Sequence, residues 1–166
     1  MTKRQMIYAK FEGFEEQVAH CYFKLHERFI TNPPLAKFWV EAAMDELQHS
    51  SMLRFCRERE LIANVDLDAG TTEHVEELLD TVKGITNDPD LTIDEAFYAS
   101  LLMESSELEE VYEKLTAPLA KDHPLLFEAI RAGLRSHHGT FTDAVEQFSG
   151  DRGFVEAFKA LGRSVS

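Results

Sequence analysis

The sequence predicts an all-α fold: four long helices packed as a bundle, a shorter helix in the long connection between the second and third, and a short C-terminal helix. Three observations carry this. Glycine and proline fall at a few sites and leave long uninterrupted stretches between them. Within those stretches apolar residues recur alternately three and four apart, the spacing of one helix face. No segment shows the period-two alternation of a strand.

The elements follow in order. Helix 1 runs from about Lys3 to Ile30 and stops at the "TNPP" stretch. Helix 2 starts at Pro34, because proline lacks an N–H that a first turn would leave unbonded anyway, and continues to about Leu61. The segment 62–91 is a long connection. It contains the amphipathic stretch "TTEHVEELLDTVKGI", with Thr71 or Thr72 as N-cap and Gly84 near its end. Helix 3 opens at "LTIDEAF", where Thr92 followed by Glu95 forms a capping box, and extends as one helix to Ala117–Pro118. Helix 4 spans Pro124 to Gly150, and "DRGFVEAFKAL" forms a terminal helix packed on the outside. Short links make helices 1–2 and 3–4 antiparallel pairs, and the long link makes 2 and 3 parallel. That connectivity resembles the ferritin-like bundle rather than the simple up-and-down one.

Composition narrows the function classes. A chain of 166 residues, 44% hydrophobic and 28% charged, is expected to form a single soluble domain over 1–166. No apolar run approaches the ~20 residues a bilayer span needs, and no secretory signal is visible, so a cytoplasmic protein without a membrane partner is expected. The net charge of −13 supplies no basic stripe, so no nucleic-acid partner is expected. Cys21 and Cys56 stand far apart with no CxxC spacing and are expected to fill helix interfaces.

The inward rows of the four helices are informative. Helix 1 gives Phe11, Glu15, Val18, Tyr22, Leu25 and Phe29. Helix 2 gives Leu35, Trp39, Ala42, Glu46, His49, Leu53 and Cys56. Helix 3 gives Phe97, Leu101, Glu104, Leu108, Val111 and Leu115. Helix 4 gives Phe127, Ile130, Leu134, His137, Phe141, Ala144 and Phe148. Apart from Tyr22, each row is apolar with one polar interruption, single or paired, near its middle. At a rise of about 1.5 Å per residue the interruptions lie at similar distances from their turns, so antiparallel packing brings them to one level. Glu15, Glu46, His49, Glu104 and His137 are therefore expected to converge, with Glu107 leaning in from one turn beyond Glu104. Buried carboxylates at that density repel one another and each costs several kcal/mol to desolvate. Either shared protons or bound cations must compensate. The mixed oxygen and nitrogen donors suit iron or manganese, and also zinc.

Glu46-Leu-Gln-His49 is an ExxH motif, and with its partners on the other helices the chain resembles the helical domain of the rubrerythrin family of ferritin-like di-iron carboxylate proteins. The resemblance implies metal ligands at Glu15, Glu46, His49, Glu104, Glu107 and His137, and tyrosines beside the ligands at Tyr22 and Tyr112. It implies one or two iron ions, self-association as a dimer, and an external electron donor, since the family's cysteine-rich module is absent here. Helix 4 departs from the family pattern: Leu134-Arg-Ser-His137 has leucine where a second ExxH carries glutamate. The expected function is a metal-binding oxidoreductase that reacts with peroxide or dioxygen. The alternatives are an iron-handling module without turnover and a structural bundle whose site has decayed.

Other polar residues receive ordinary roles. His138 is expected to face solvent with Arg131 and Arg135. Glu12, Glu16 and His20 are assigned to an outer flank, and His26, His74 and His123 to the surface.

Overall fold

The structure, a computed structural model, describes residues 1–64 and 69–164; the side chains of Ala69, Ser164 and residues 107–109 lie outside that description. Among the described residues every regular element is a helix. Helix α1 (Lys3–Arg28) begins with a capping box: Gln5 N–H donates to the Thr2 hydroxyl at 3.2 Å and Thr2 N–H to the Gln5 side chain at 2.8 Å. Helix α2 (Pro33–Glu58) follows a tight turn and holds two prolines in its first turn. Its end is a Schellman arrangement, in which Leu61 N–H reaches Cys56 O at 2.9 Å and Glu60 N–H reaches Arg57 O at 3.3 Å. Glu60 has φ 57°, the left-handed conformation that glycine adopts most easily.

Helix α3 (Ala69–Thr86) lies in the long connection and buries Val75, Leu79 and Val82. It starts before Thr71 and Thr72, so neither is its N-cap, and it runs two residues past Gly84. Helix α4 (Ile93–Glu104) has the expected Thr92–Glu95 capping box, with Glu95 N–H on the Thr92 hydroxyl at 3.2 Å and Thr92 N–H on the Glu95 carboxylate at 2.8 Å. These bonds hold the Glu95 carboxyl below its usual range.

The single third helix expected from the sequence is two helices. After α4 the chain turns at Ser105–Ser106 and resumes as α5 (Glu107–Thr116). The serines supply the reason. Ser105 Oγ donates to Leu101 O and Ser106 Oγ to Met103 O, both at 2.6 Å, and Ser106 N–H bonds Met103 O at 3.1 Å. Hydroxyls that compete for the last carbonyls of a turn favour a bend there. A one-turn helix α6 (Leu119–Asp122) leads to α7 (Pro124–Phe148), and α8 (Arg152–Ser164) closes the chain.

The core between α1, α2, α4 and α7 is an aromatic layer. Trp39 lies 5.8 Å from Tyr22, 5.2 Å from Phe97 and 4.6 Å from Phe38, centroid to centroid. Phe141 joins it from α7, and Phe158 of α8 stacks on Phe141 at 5.4 Å. Burying each such ring contributes about 1.5–3 kcal/mol. Helix α8 thus packs into the core and covers one face of α7. That corrects the expectation for His138: its α7 face is roofed by α8, and its side chain is 1% exposed.

The flank between α1 and α2 also differs from expectation. Glu12 is buried, because Arg57 grips both its oxygens, Nε–Oε1 at 2.5 Å and Nη2–Oε2 at 3.1 Å. Glu16 remains exposed and pairs with Arg54 at 2.7 Å. His20, His74 and His123 are exposed, whereas His26 is half-buried with Nδ1 2.9 Å from Ala36 O. No helix among the described residues is long and apolar enough to cross a membrane.

Candidate metal centre

Glu15 sits on the inward face of α1, at the same level as Glu46 and His49 on α2. Residues three apart on a helix project from one face, so Glu46 and His49 aim together, and His49 Nδ1 lies 2.9 Å from Glu46 Oε2. From the other side α4 supplies Glu104 and α7 supplies His137. His137 Nε2 lies 3.0 Å from Glu104 Oε2 and 3.3 Å from Glu46 Oε1. Two groups of donors result: Glu15, Glu46 and His49, and Glu46, Glu104 and His137. Within each group the ligand atoms lie within 4.8 Å of one another, and Glu46 belongs to both.

Part of the surroundings is apolar. Val18, Met103 and Leu134 line a small cavity between the donors. A water-sized sphere can place its centre in about 20 Å³ of it, above the roughly 10–15 Å³ that one water requires. Tyr22 donates its hydroxyl to Glu104 Oε1 at 2.5 Å, which leaves Oε2 turned toward His137. Burial, then the charges of Glu104 and Glu46, push the Tyr22 hydroxyl well above 10, so it stays a donor. Tyr112 packs its ring 4.6 Å from that of His49. Its hydroxyl is likewise raised by burial and by the Glu15 charge.

The electrostatics of the centre follow from these contacts. Burial works to raise the Glu46 carboxyl, but the charge of His49 and hydrogen bonds from His137 and His49 outweigh it and hold the group far below 4.5. His137 goes the other way. Burial works to lower it, and the Glu104 charge with hydrogen bonds to Asp45, Glu104 and Glu46 holds it well above 6.5. The imidazolium of His137 therefore offsets part of the charge of three buried carboxylates.

No family model, curated protein or solved structure matches this chain.

The donor set itself is therefore the test of whether a metal fits. Donors about 2.0–2.2 Å from one ion stand at most about 4.4 Å apart. The 4.8 Å grouping reaches that with shifts of a few tenths of an ångström. Three buried carboxylates facing one cavity carry more negative charge than the His49 and His137 rings together cancel. Glu104 is also the last residue of α4, at the negative end of the helix dipole, where a cation is favoured. The residues present could hold a metal ion.

Of the residues expected from the sequence, Glu15, Glu46, His49, Glu104 and His137 come together, and Tyr22 and Tyr112 stand against them. Glu107 has its side chain outside the described residues, and the turn at Ser105–Ser106 replaces the continuous helix on which its expected position relied. Leu134 is buried against the cavity, so α7 gives an imidazole and no carboxylate. Two residues were missed. Asp45, whose side chain is 41% exposed, accepts from His137 Nδ1–H at 3.0 Å and so orients the ring with Nε2 inward. An acidic residue directly before Glu46 was its one sequence signal. His138 has Nε2 4.0 Å from Glu104 Oε2. Nothing in the pattern of helix 4 marked it as internal.

Proposed function

We propose that this chain is a ferritin-like metal-binding protein, with iron as the metal, and that its centre serves oxidoreduction of peroxide or dioxygen. The observation that carries the reading is the pair of buried carboxylate–imidazole groups sharing Glu46 around one small cavity. Glu15 and His49 would hold one position, Glu104 and His137 the other, and Glu46 would bridge them. Bound iron would supply one-electron redox chemistry at that point. The chain's own part is to fix the donors and exclude bulk water. Tyr22 orients Glu104, Asp45 orients His137, and the Trp39–Phe141 aromatic layer seals the adjacent core. The rubrerythrin-like reading of the sequence adds the expectation of a separate electron donor and a dimer.

The test is anaerobic reconstitution with Fe(II) followed by removal of free metal. The wild-type chain is expected to retain iron and to speed peroxide consumption relative to the E46A/H49A double variant. Failure of both would remove the proposal. Leu134 supports a second reading, because a helix that contributes only an imidazole favours asymmetric binding. In that case the protein handles iron without turnover, retaining it stoichiometrically while peroxide consumption stays at the variant's level.

A further inference from the structure

The face formed by α2 and α7 carries a cleft of about 200 Å³ beside the candidate centre. Its inner wall is His49 and Tyr112, which also line the cavity between the donors. Among the described donors, His49 alone has appreciable exposure, 17% of its side chain against 6% for Glu46 and Glu104 and 3% for His137. The centre therefore meets solvent on this side, past one imidazole ring.

The lining states what could pass. Asp45 is the single carboxylate in it, Gln48 is neutral, and no lysine or arginine takes part; apart from the His49 ring and Tyr112 of the inner wall, the rest is Met52, Leu126, Ala129, Ile130 and Gly133. On a chain of net charge −13, such a cleft attracts cations and repels anions. Asp45 is also in contact with His137, so a cation held there is one imidazole away from the centre. The inner cavity admits only a bare ion or a water-sized molecule.

We propose that the α2–α7 cleft is the route by which a divalent cation reaches the candidate centre, with Asp45 the first carboxylate it meets. The inference rests on the metal-binding reading above. Gly133 gives it a handle. It stands on the cleft wall, and a Cβ added there meets nothing within 4 Å, so a larger side chain starts from open space at the cleft. Leucine is also a better helix residue than glycine.

The experiment follows Co(II) uptake by stopped-flow quenching of Trp39, the only tryptophan in the chain, buried and stacked on the tyrosine that bonds Glu104. Gly133→Leu and Ala129→Leu, one turn apart on the cleft wall, are each expected to slow association by about tenfold or more, the scale on which access and steering alter rates. Their final Co(II) stoichiometry should equal that of the wild type. Gly139→Leu, on the same helix but outside the cleft lining and with an added Cβ equally unobstructed, should load at the wild-type rate. Association should also slow as ionic strength rises. If both cleft variants load as fast as the wild type, the route is wrong while the centre stands. A wild-type chain that takes up no Co(II) overturns the centre, and the route with it.

Discussion

At the scale of single residues, two groups have effects large enough to measure. Tyr8 is fully buried, yet its hydroxyl has work to do: it donates to Leu115 O at 2.6 Å and accepts from Ala63 N–H at 2.9 Å. It ties the start of α1 to the end of α5 and to the loop after α2, and burial pushes its pKa up to about 12. Tyr8→Phe strands a buried N–H and a buried carbonyl, and is expected to lower stability by about 1–3 kcal/mol in urea titration. His137 gives a pH dependence. Its folded pKa lies above the ordinary 6.5, so its ion-pairing stabilises the ion-free protein fully below about pH 6.5 and is lost as pH rises through the folded value. A metal needs the neutral ring, so loading must expel that proton and apparent affinity rises with pH. Zn(II) titrations in buffers of different ionisation enthalpy should show about one proton released for His137, and none from it in a His137→Ala variant.

At the scale of elements, local chemistry decides where helices stop. Glu60 closes α2 in a left-handed conformation that costs a side-chain-bearing residue roughly 1–2 kcal/mol. Glu60→Gly is accordingly expected to raise stability by about 1 kcal/mol, part of the relief being returned as unfolded-chain entropy. A lower melting temperature for that variant would contradict the cap geometry. The turn at Ser105–Ser106 matters more for function, because it ends α4 at Glu104 and so places a carbonyl-rich helix terminus beside the donors. The capping box at Thr92 was readable from four consecutive residues, whereas the one at Thr2 is a finding of the structure. The serine turn was not: two serines inside a strong apolar period are compatible with either a continuous or a bent helix, and packing chooses.

At the scale of the molecule, the bundle tolerates a polar centre because an aromatic layer beside it carries the burial. Position 134 probes that balance. Leu134→Glu adds a carboxylate against the cavity, where an unpaired charge costs several kcal/mol. The ion-free variant should melt lower than wild type, and Zn(II) or Fe(II) should restore it with a higher metal stoichiometry by equilibrium dialysis. At a free metal concentration 100 times the dissociation constant, binding contributes about 2.7 kcal/mol. An unchanged stoichiometry would mean that Leu134 does not face the donors.

The sequence by itself determined the helical class, the capping box at Thr92, and the level at which Glu15, Glu46, His49, Glu104 and His137 meet. Those depend on a fixed helical rise and on turns marked by proline and glycine, which are local properties. Only the tertiary structure decided that α8 buries His138, that Arg57 draws Glu12 inside, that Asp45 reaches His137, and that α4 ends at Glu104. Each of these turns on how a flank residue meets a segment far away in the chain, or on which of two backbone paths the packing favours, and helix periodicity carries no information about either.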